Sequence, residues 1–148
     1  MLDETDVKIL SALRKNSRCS SRQLAHKLGI HPATVISRIK RLEKSGVIIG
    51  YGANLDLGKL GYDFIGLVQI KIAKGKLLET QEKISKMKGV VAVYDVTGEY
   101  DSVAIIASKS RESFSQLIKS FLSLPHVEHT NTQVILQVVK PSWSFEAV

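Results

Sequence analysis

Apolar residues recur at helical spacing through the first 44 positions, and the period then shortens to two. Val7, Leu10 and Leu13 fall on one face of a first helix. Asp3 is placed to cap it, Leu2 to pack on Val7 ahead of the cap, and Asp6 to sit in the first turn, where the helix dipole favours negative charge. Leu24, Ala25 and Leu28 mark a second helix, with Ser20 or Ser21 as its cap and Gly29 as its end. Val35, Ile39 and Leu42 stand at i, i+4 and i+7 on a third helix, which Pro32 opens and Gly46 closes. Two short helices meeting at a glycine turn, followed by a capped amphipathic helix, predict a tri-helical helix-turn-helix module.

Six of the ten glycines lie between positions 46 and 66. VIIGYGANLDLG alternates poorly and ends in turn residues, so a short extended strand followed by a linker is expected there. Beyond it, FIGLVQIKI places Phe64, Val68, Ile70 and Ile72 on one face of a strand over 64–72. LLETQEKISKMKG reads as a helix running to Gly89, with Leu77, Leu78, Ile84 and Met87 inward. Two apolar strands follow, 90–97 and 102–107, around a turn from Gly98 to Asp101. Ser110 caps a further helix carrying Phe114, Leu117, Ile118, Phe121 and Leu122 inward, and a last strand spans about Val127 to Val139. The order β-α-β-β-α-β is the ferredoxin-like split motif. The predicted fold class is therefore α+β: residues 1–50 a helix-turn-helix, 51–62 a strand and hinge, and 63–148 the second module.

Alternation makes both faces of the middle strands apolar, with Val91 and Val93 on one and Val90, Ala92 and Val96 on the other. Two helices cover only one face of such a sheet. Since large apolar patches are seldom left exposed, the other face is expected to pair with a second copy, giving a homodimer. Trp143 and Phe145, in the tail PSWSFEAV, are expected to pack.

Charge sharpens the first module. The chain carries +7, and residues 1–50 hold ten Lys/Arg against four Asp/Glu, or +6. Residues 61–148 hold ten against nine, or +1. Between 14 and 44 there are nine basic residues against Glu43 alone. A cationic reading helix beside a nearly neutral module points to a polyanion, and double-stranded DNA fits the helix-turn-helix spacing. On the third helix Pro32, Ala33, Thr34 and Ser37 are small enough to approach base edges, while Arg38, Lys40, Arg41 and Lys44 are cations suited to phosphates or to base edges, a division that the sequence leaves open; Arg22 adds a cation from the second helix. Ile36 is expected half-buried on the flank.

Other chemistry is sparse. One cysteine, Cys19, excludes an internal disulfide, and the four histidines lack metal-ligand spacing. There is no glycine-rich phosphate loop, no GxSxG and no usefully spaced acid pair, so neither an enzyme nor a bound cofactor or metal is expected. No apolar run is long enough to span a bilayer, and the acidic start MLDETD does not resemble a signal peptide, which places the chain in the cytoplasm, with the nucleoid.

Four segments together carry a family resemblance: LDETDVKILSALRKNSR, the run LGIHPATVISRIKRLEKSGVIIGY from Leu28 to Tyr51, TGEYD from Thr97 to Asp101, and TNTQVILQVVK from Thr130 to Lys140. Over residues 1–140 the chain resembles the leucine-responsive/asparagine-regulator (Lrp/AsnC) family. That resemblance implies an N-terminal winged helix-turn-helix joined by a glycine-rich linker to a βαββαβ domain, called the RAM domain, which senses amino acids. It further implies dimers that associate to octamers on promoter DNA. By the same resemblance Gly98, Tyr100 and Asp101 lie in an effector loop, and Thr130 and Thr132 supply hydroxyls from the last strand. An Asp101 carboxylate is suited to an α-ammonium group. His31 and His129 depart from the usual pattern, at a helix cap and near the expected pocket. The implied function is a sequence-specific regulator modulated by an amino acid; the alternative is an architectural DNA-binding protein without a ligand response.

Overall fold

A computed structural model describes residues 2–141 of the chain; Trp143 and Phe145 lie outside the described residues. Contacts divide the chain into two compact units, one closing at Asn54 and the other spanning Leu55–Lys140.

The first unit contains α1 (Glu4–Lys15), α2 (Ser21–Leu28) and α3 (Pro32–Lys44). Each begins where a side chain satisfies an orphan backbone donor. The Asp3 carboxylate accepts from the Asp6 N–H at 2.9 Å and the Asp6 carboxylate accepts from the Asp3 N–H at 3.0 Å, a reciprocal capping box. Ser20 and Gln23 repeat the arrangement on α2 at 3.2 and 2.9 Å. On α3, His31 Nδ1 accepts the Ala33 N–H at 3.3 Å, so the histidine does cap, and Pro32 occupies the first turn. Gly29 closes α2 at φ 64°, a left-handed conformation that a side chain resists and that sets the turn into α3.

The core of this unit is Ile9, Leu13, Leu24, Ala25, Val35 and Leu42, with Leu10, Cys19, Leu28, Ile39 and Ile48 at its edge. The α1 stripe thus runs through Asp6, Ile9 and Leu13 rather than Val7, Leu10 and Leu13. Leu2, expected against Val7, is exposed, as is Ile36. The expected strand after Gly46 is absent: no strand occurs between α3 and residue 64. Instead the Val47 and Ile48 N–H groups both bond to the Leu42 carbonyl at 3.0 and 3.1 Å, turning the chain back onto the end of α3. With those donors spent and no partner ladder, Ile49 is left 95% exposed.

The second unit holds β1 (Phe64–Ile72), α4 (Leu77–Ser85), β2 (Val90–Asp95), β3 (Ser102–Ser108), α5 (Arg111–Leu122) and β4 (Val127–Val134). The sheet order is β2-β3-β1-β4, with every neighbouring pair antiparallel, which is the ferredoxin-like α+β arrangement. Val68, Ile70 and Ile72 of β1 and Ala104 and Ile106 of β3 meet Ile84 of α4 and Phe114 and Phe121 of α5 in one core. Gly66 sits where that core is tightest. A Cβ there would lie 2.6 Å from the Phe114 ring, so the ring's position depends on a residue without one.

Five expectations change here. Leu78 is 78% exposed, because Leu77, Thr80 and Ile84 already form the i, i+3, i+7 stripe, and Thr80 takes the inward place. Leu122 lies beside Phe121 on α5 and is exposed for the same reason. α4 ends at Ser85 rather than at Gly89, and β4 ends at Val134, although the Ile135 N–H still bonds to Ile65 at 2.8 Å. Lastly, the β2–β3 register shifts between Val90 and Ala92, so Val90 pairs with Ile106 and Val93 with Ala104. This bulge puts Val90 and Val93 together on the core side and leaves Val91 exposed.

Among the described residues no helix is long and apolar enough to cross a membrane.

Candidate nucleic-acid interface and ligand module

The solvent side of α3 carries the residues expected to meet DNA. Pro32, Ala33, Thr34, Ser37, Lys40, Arg41 and Lys44 are exposed there, Arg38 is half-buried, and Arg22 is exposed on α2. Ala33, Thr34, Ser37, Arg38 and Arg41 line a single concavity of about 460 Å³. Its lining combines small and hydroxyl-bearing side chains with two guanidinium groups, a surface that can offer donors to base edges or phosphates. Lys40, Lys44 and Arg22 form no ion pair among the described residues and reach into solvent.

The two arginines are held differently. Arg38 Nη1 donates to Asp6 Oδ1 at 2.9 Å and also to Asp3 Oδ2, while Arg41 Nη2 donates to Asp6 Oδ2. Asp6 is fully buried, its oxygens shared between the cap of α1 and both guanidinium groups. Arg38 and then the Asp6 N–H hold the Asp3 carboxyl down at about 2. The Asp3 N–H lowers that of Asp6, with both arginines adding to it against the opposing effect of burial. Arg38 is raised in turn, first by Asp3 and then by Asp6. Sequence patterning assigned Asp3 and Asp6 to the helix end alone; a contact between residues 32 to 35 apart has no periodic signal. Because of it, an Arg41→Ala change removes a partner of a buried carboxylate as well as a surface cation. Tyr51 is a further residue that patterning missed: its hydroxyl donates to Glu43 at 2.9 Å.

In the second unit, the residues expected around an effector divide between the two faces of the sheet. Thr130 pairs with Ile70 and Thr132 with Val68, so both threonines share the face that the helices cover. Lys71 pairs with His129 on the opposite face. There the Tyr100 ring meets the His129 ring edge-on, centroids 5.5 Å apart. Asp101 is engaged locally: Oδ2 accepts the Ile72 N–H at 2.9 Å, and Oδ1 lies 3.3 Å from Lys71 Nζ. The Ile72 N–H, followed by Lys71, holds the carboxyl below its ordinary value. Its own N–H donates to the Ile70 carbonyl at 3.1 Å, so the loop is clasped to the end of β1. Gly98, at φ 119°, forms the exposed bend that leads into it.

Comparison with known proteins agrees with both units. Residues 2–49 match the family model for winged helix-turn-helix DNA-binding domains, and residues 66–144 match that for the Lrp/AsnC ligand-binding domain. The chain is 44% identical over 146 residues to an uncharacterized HTH-type transcriptional regulator of Pyrococcus abyssi, covering 99% of each. It is 32% identical over 143 residues to the leucine-responsive regulatory protein of Haemophilus influenzae, covering 94% of this chain and 86% of that one. Among solved structures, a transcriptional regulator from Neisseria meningitidis in complex with L-Met superposes with a TM-score of 0.89 at 25% identity, covering 99% and 97% of the two chains. These relatives are regulators rather than enzymes. A DNA-binding helix-turn-helix followed by a ligand-binding ferredoxin-like module identifies the chain as a transcriptional regulator of the Lrp/AsnC family.

Proposed function

We propose that this regulator reads specific promoter sequences through α3 and that a small effector, an amino acid, modulates its DNA binding or its assembly. The observation that carries the reading is the α3 concavity, where Ala33, Thr34, Ser37, Arg38 and Arg41 present small, hydroxyl and guanidinium groups side by side. Lys40, Lys44 and Arg22 around it supply phosphate contacts that fix the helix on the duplex. The protein works in the cytoplasm, on the nucleoid.

Assembly follows from the sheet. Its helix-free face carries Ile65, Leu67, Val103 and Ile105, with Tyr94 exposed at the edge. A second copy placed on that face covers it, and the resulting two-fold pairs two reading helices for a pseudo-palindromic site. Further association, such as an octamer, brings more chains together. The effector site is one that more than one chain completes, since Thr130 and Thr132 lie on the opposite face from Tyr100 within a single chain. An amino acid between chains then alters their spacing by binding one arrangement more tightly than another. The L-Met complex of the Neisseria relative and the leucine response in the Haemophilus relative's name favour this class of ligand. One observation favours the alternative, an architectural DNA-binding protein without effector: the Asp101 carboxylate already serves the Ile72 N–H and Lys71.

Thermal unfolding of the full chain with each of the twenty amino acids, read together with light scattering, separates the two. The effector reading expects one amino acid to raise the melting temperature and to change the mass. At a free concentration of about one hundred times its dissociation constant the stabilisation is about 2.7 kcal/mol. Unchanged melting with all twenty would favour the effector-free alternative.

A further inference from the structure

The cations of the N-terminal unit fall into two classes. Lys40, Lys44 and Arg22 are exposed and unpaired among the described residues. Arg38 and Arg41 are already matched, within the protein, by two carboxylates from the start of α1. Around the α3 concavity, two guanidinium groups against Asp3 and Asp6 leave no net charge. The part of the surface best shaped to meet bases is therefore the part with the least electrostatic pull on a phosphate.

The donor geometry fits this division. Asp6 occupies Nη2 of Arg41, and Asp3 and Asp6 share Nη1 of Arg38. A guanidinium has five N–H donors in a rigid fork, so each arginine keeps donors for another acceptor while its plane is held from behind. The acceptors on guanine are neutral and are served by an oriented fork, whether or not its charge is compensated. A phosphate gains most from a cation whose binding to it displaces solution counterions. An arginine with a carboxylate partner brings little of that gain. Asp6, buried and bonded to both arginines and to the α1 backbone, fixes the plane; Asp3, on the surface, sets the charge.

We infer that Asp3 and Asp6 are specificity-determining positioning residues of this regulator: they orient Arg38 and Arg41 toward the concavity and, by neutralising them, suppress binding to arbitrary duplex. This rests on the reading of α3 as the DNA-contacting helix. A purely structural cap on α1 would stabilise the unit without moving either the salt dependence or the sequence preference of DNA binding.

Asp3→Asn distinguishes the two, because asparagine caps a helix about as well as aspartate but carries no charge. The full chain would be titrated by fluorescence anisotropy against a random-sequence duplex and against a duplex selected by the wild-type protein, over a range of salt. Asp3→Asn is expected to bind the random duplex roughly five- to tenfold more tightly at about 0.1 M salt. The slope of log K against log salt should steepen by up to about 0.9 per reading helix, and the preference for the selected duplex should fall. Asp6→Asn should act in the same direction and more strongly, with a melting curve confirming that it folds; should it not fold, Asp3→Asn still decides. An unchanged slope and preference in Asp3→Asn overturn the inference while leaving the DNA reading intact. Failure of the wild-type protein to bind either duplex overturns both.

Discussion

Removing both free lysines of the reading helix, as Lys40→Ala with Lys44→Ala, should weaken binding to every duplex by roughly sixty-fold per reading helix at about 0.1 M salt. Both side chains are exposed on α3 and form no ion pair among the described residues. Their loss therefore breaks nothing inside the unit, and a melting temperature within a few degrees of wild type is expected. Each phosphate contact contributes about 0.9 to the slope of log K against log salt, so two contacts remove about 1.8. Because phosphates are the same in every sequence, selected and random duplexes should lose affinity in equal proportion. Unchanged binding would mean that the C-terminal half of α3 faces away from the nucleic acid.

Phe121→Ala should destabilise the second unit by about 3–5 kcal/mol. The ring is fully buried, and in the same core Phe114 closes over Gly66. Cutting the ring to a methyl group removes its burial and leaves a cavity that a sheet clamped on both sides of β1 cannot close. Single domains are stable by about 5–15 kcal/mol, so the loss consumes a large part of the total. Chemical denaturation should show the midpoint falling with little change in slope. A loss below about 1 kcal/mol would mean that the two helices do not rest on the sheet through this residue.

How much of this was readable in the sequence follows from the range of each interaction. The caps at Asp3, Ser20 and Ser110 and the turn at Gly29 depend on residues within four positions of one another, and the local pattern shows them. His31 reads in the sequence as a departure from a good cap, and it is seen to serve as one only through its bond from the Ala33 N–H. The core face of β1 follows from period alone, and so does that of α5 apart from Leu122, which turns outward. Period fails where a neighbour outcompetes, as Leu77 and Thr80 do for Leu78. It fails at β2 as well, where a single register shift beside Val91 exchanges the faces of everything beyond it. The strand expected after Gly46 could not be refused from sequence, since what forbids it is the return of Val47 and Ile48 onto Leu42. On the solvent side of α3, residue types were legible and charge state was not. Arg38 and Arg41 look in the sequence like Lys40 and Lys44, and only the fold brings Asp3 and Asp6 to them. The same holds for Asp101, whose commitment to the Ile72 N–H comes from strand pairing.

The central claim is that α3 reads sequence rather than merely gripping backbone. Selection of duplexes from a fully randomised pool by the full-length protein, followed by sequencing of the bound fraction, tests it most directly. The account predicts enrichment of a two-fold symmetric motif with half-sites spaced by about one helical turn, or a multiple of it. A bound pool that stays random in sequence, held only by a salt-dependent affinity, would contradict it.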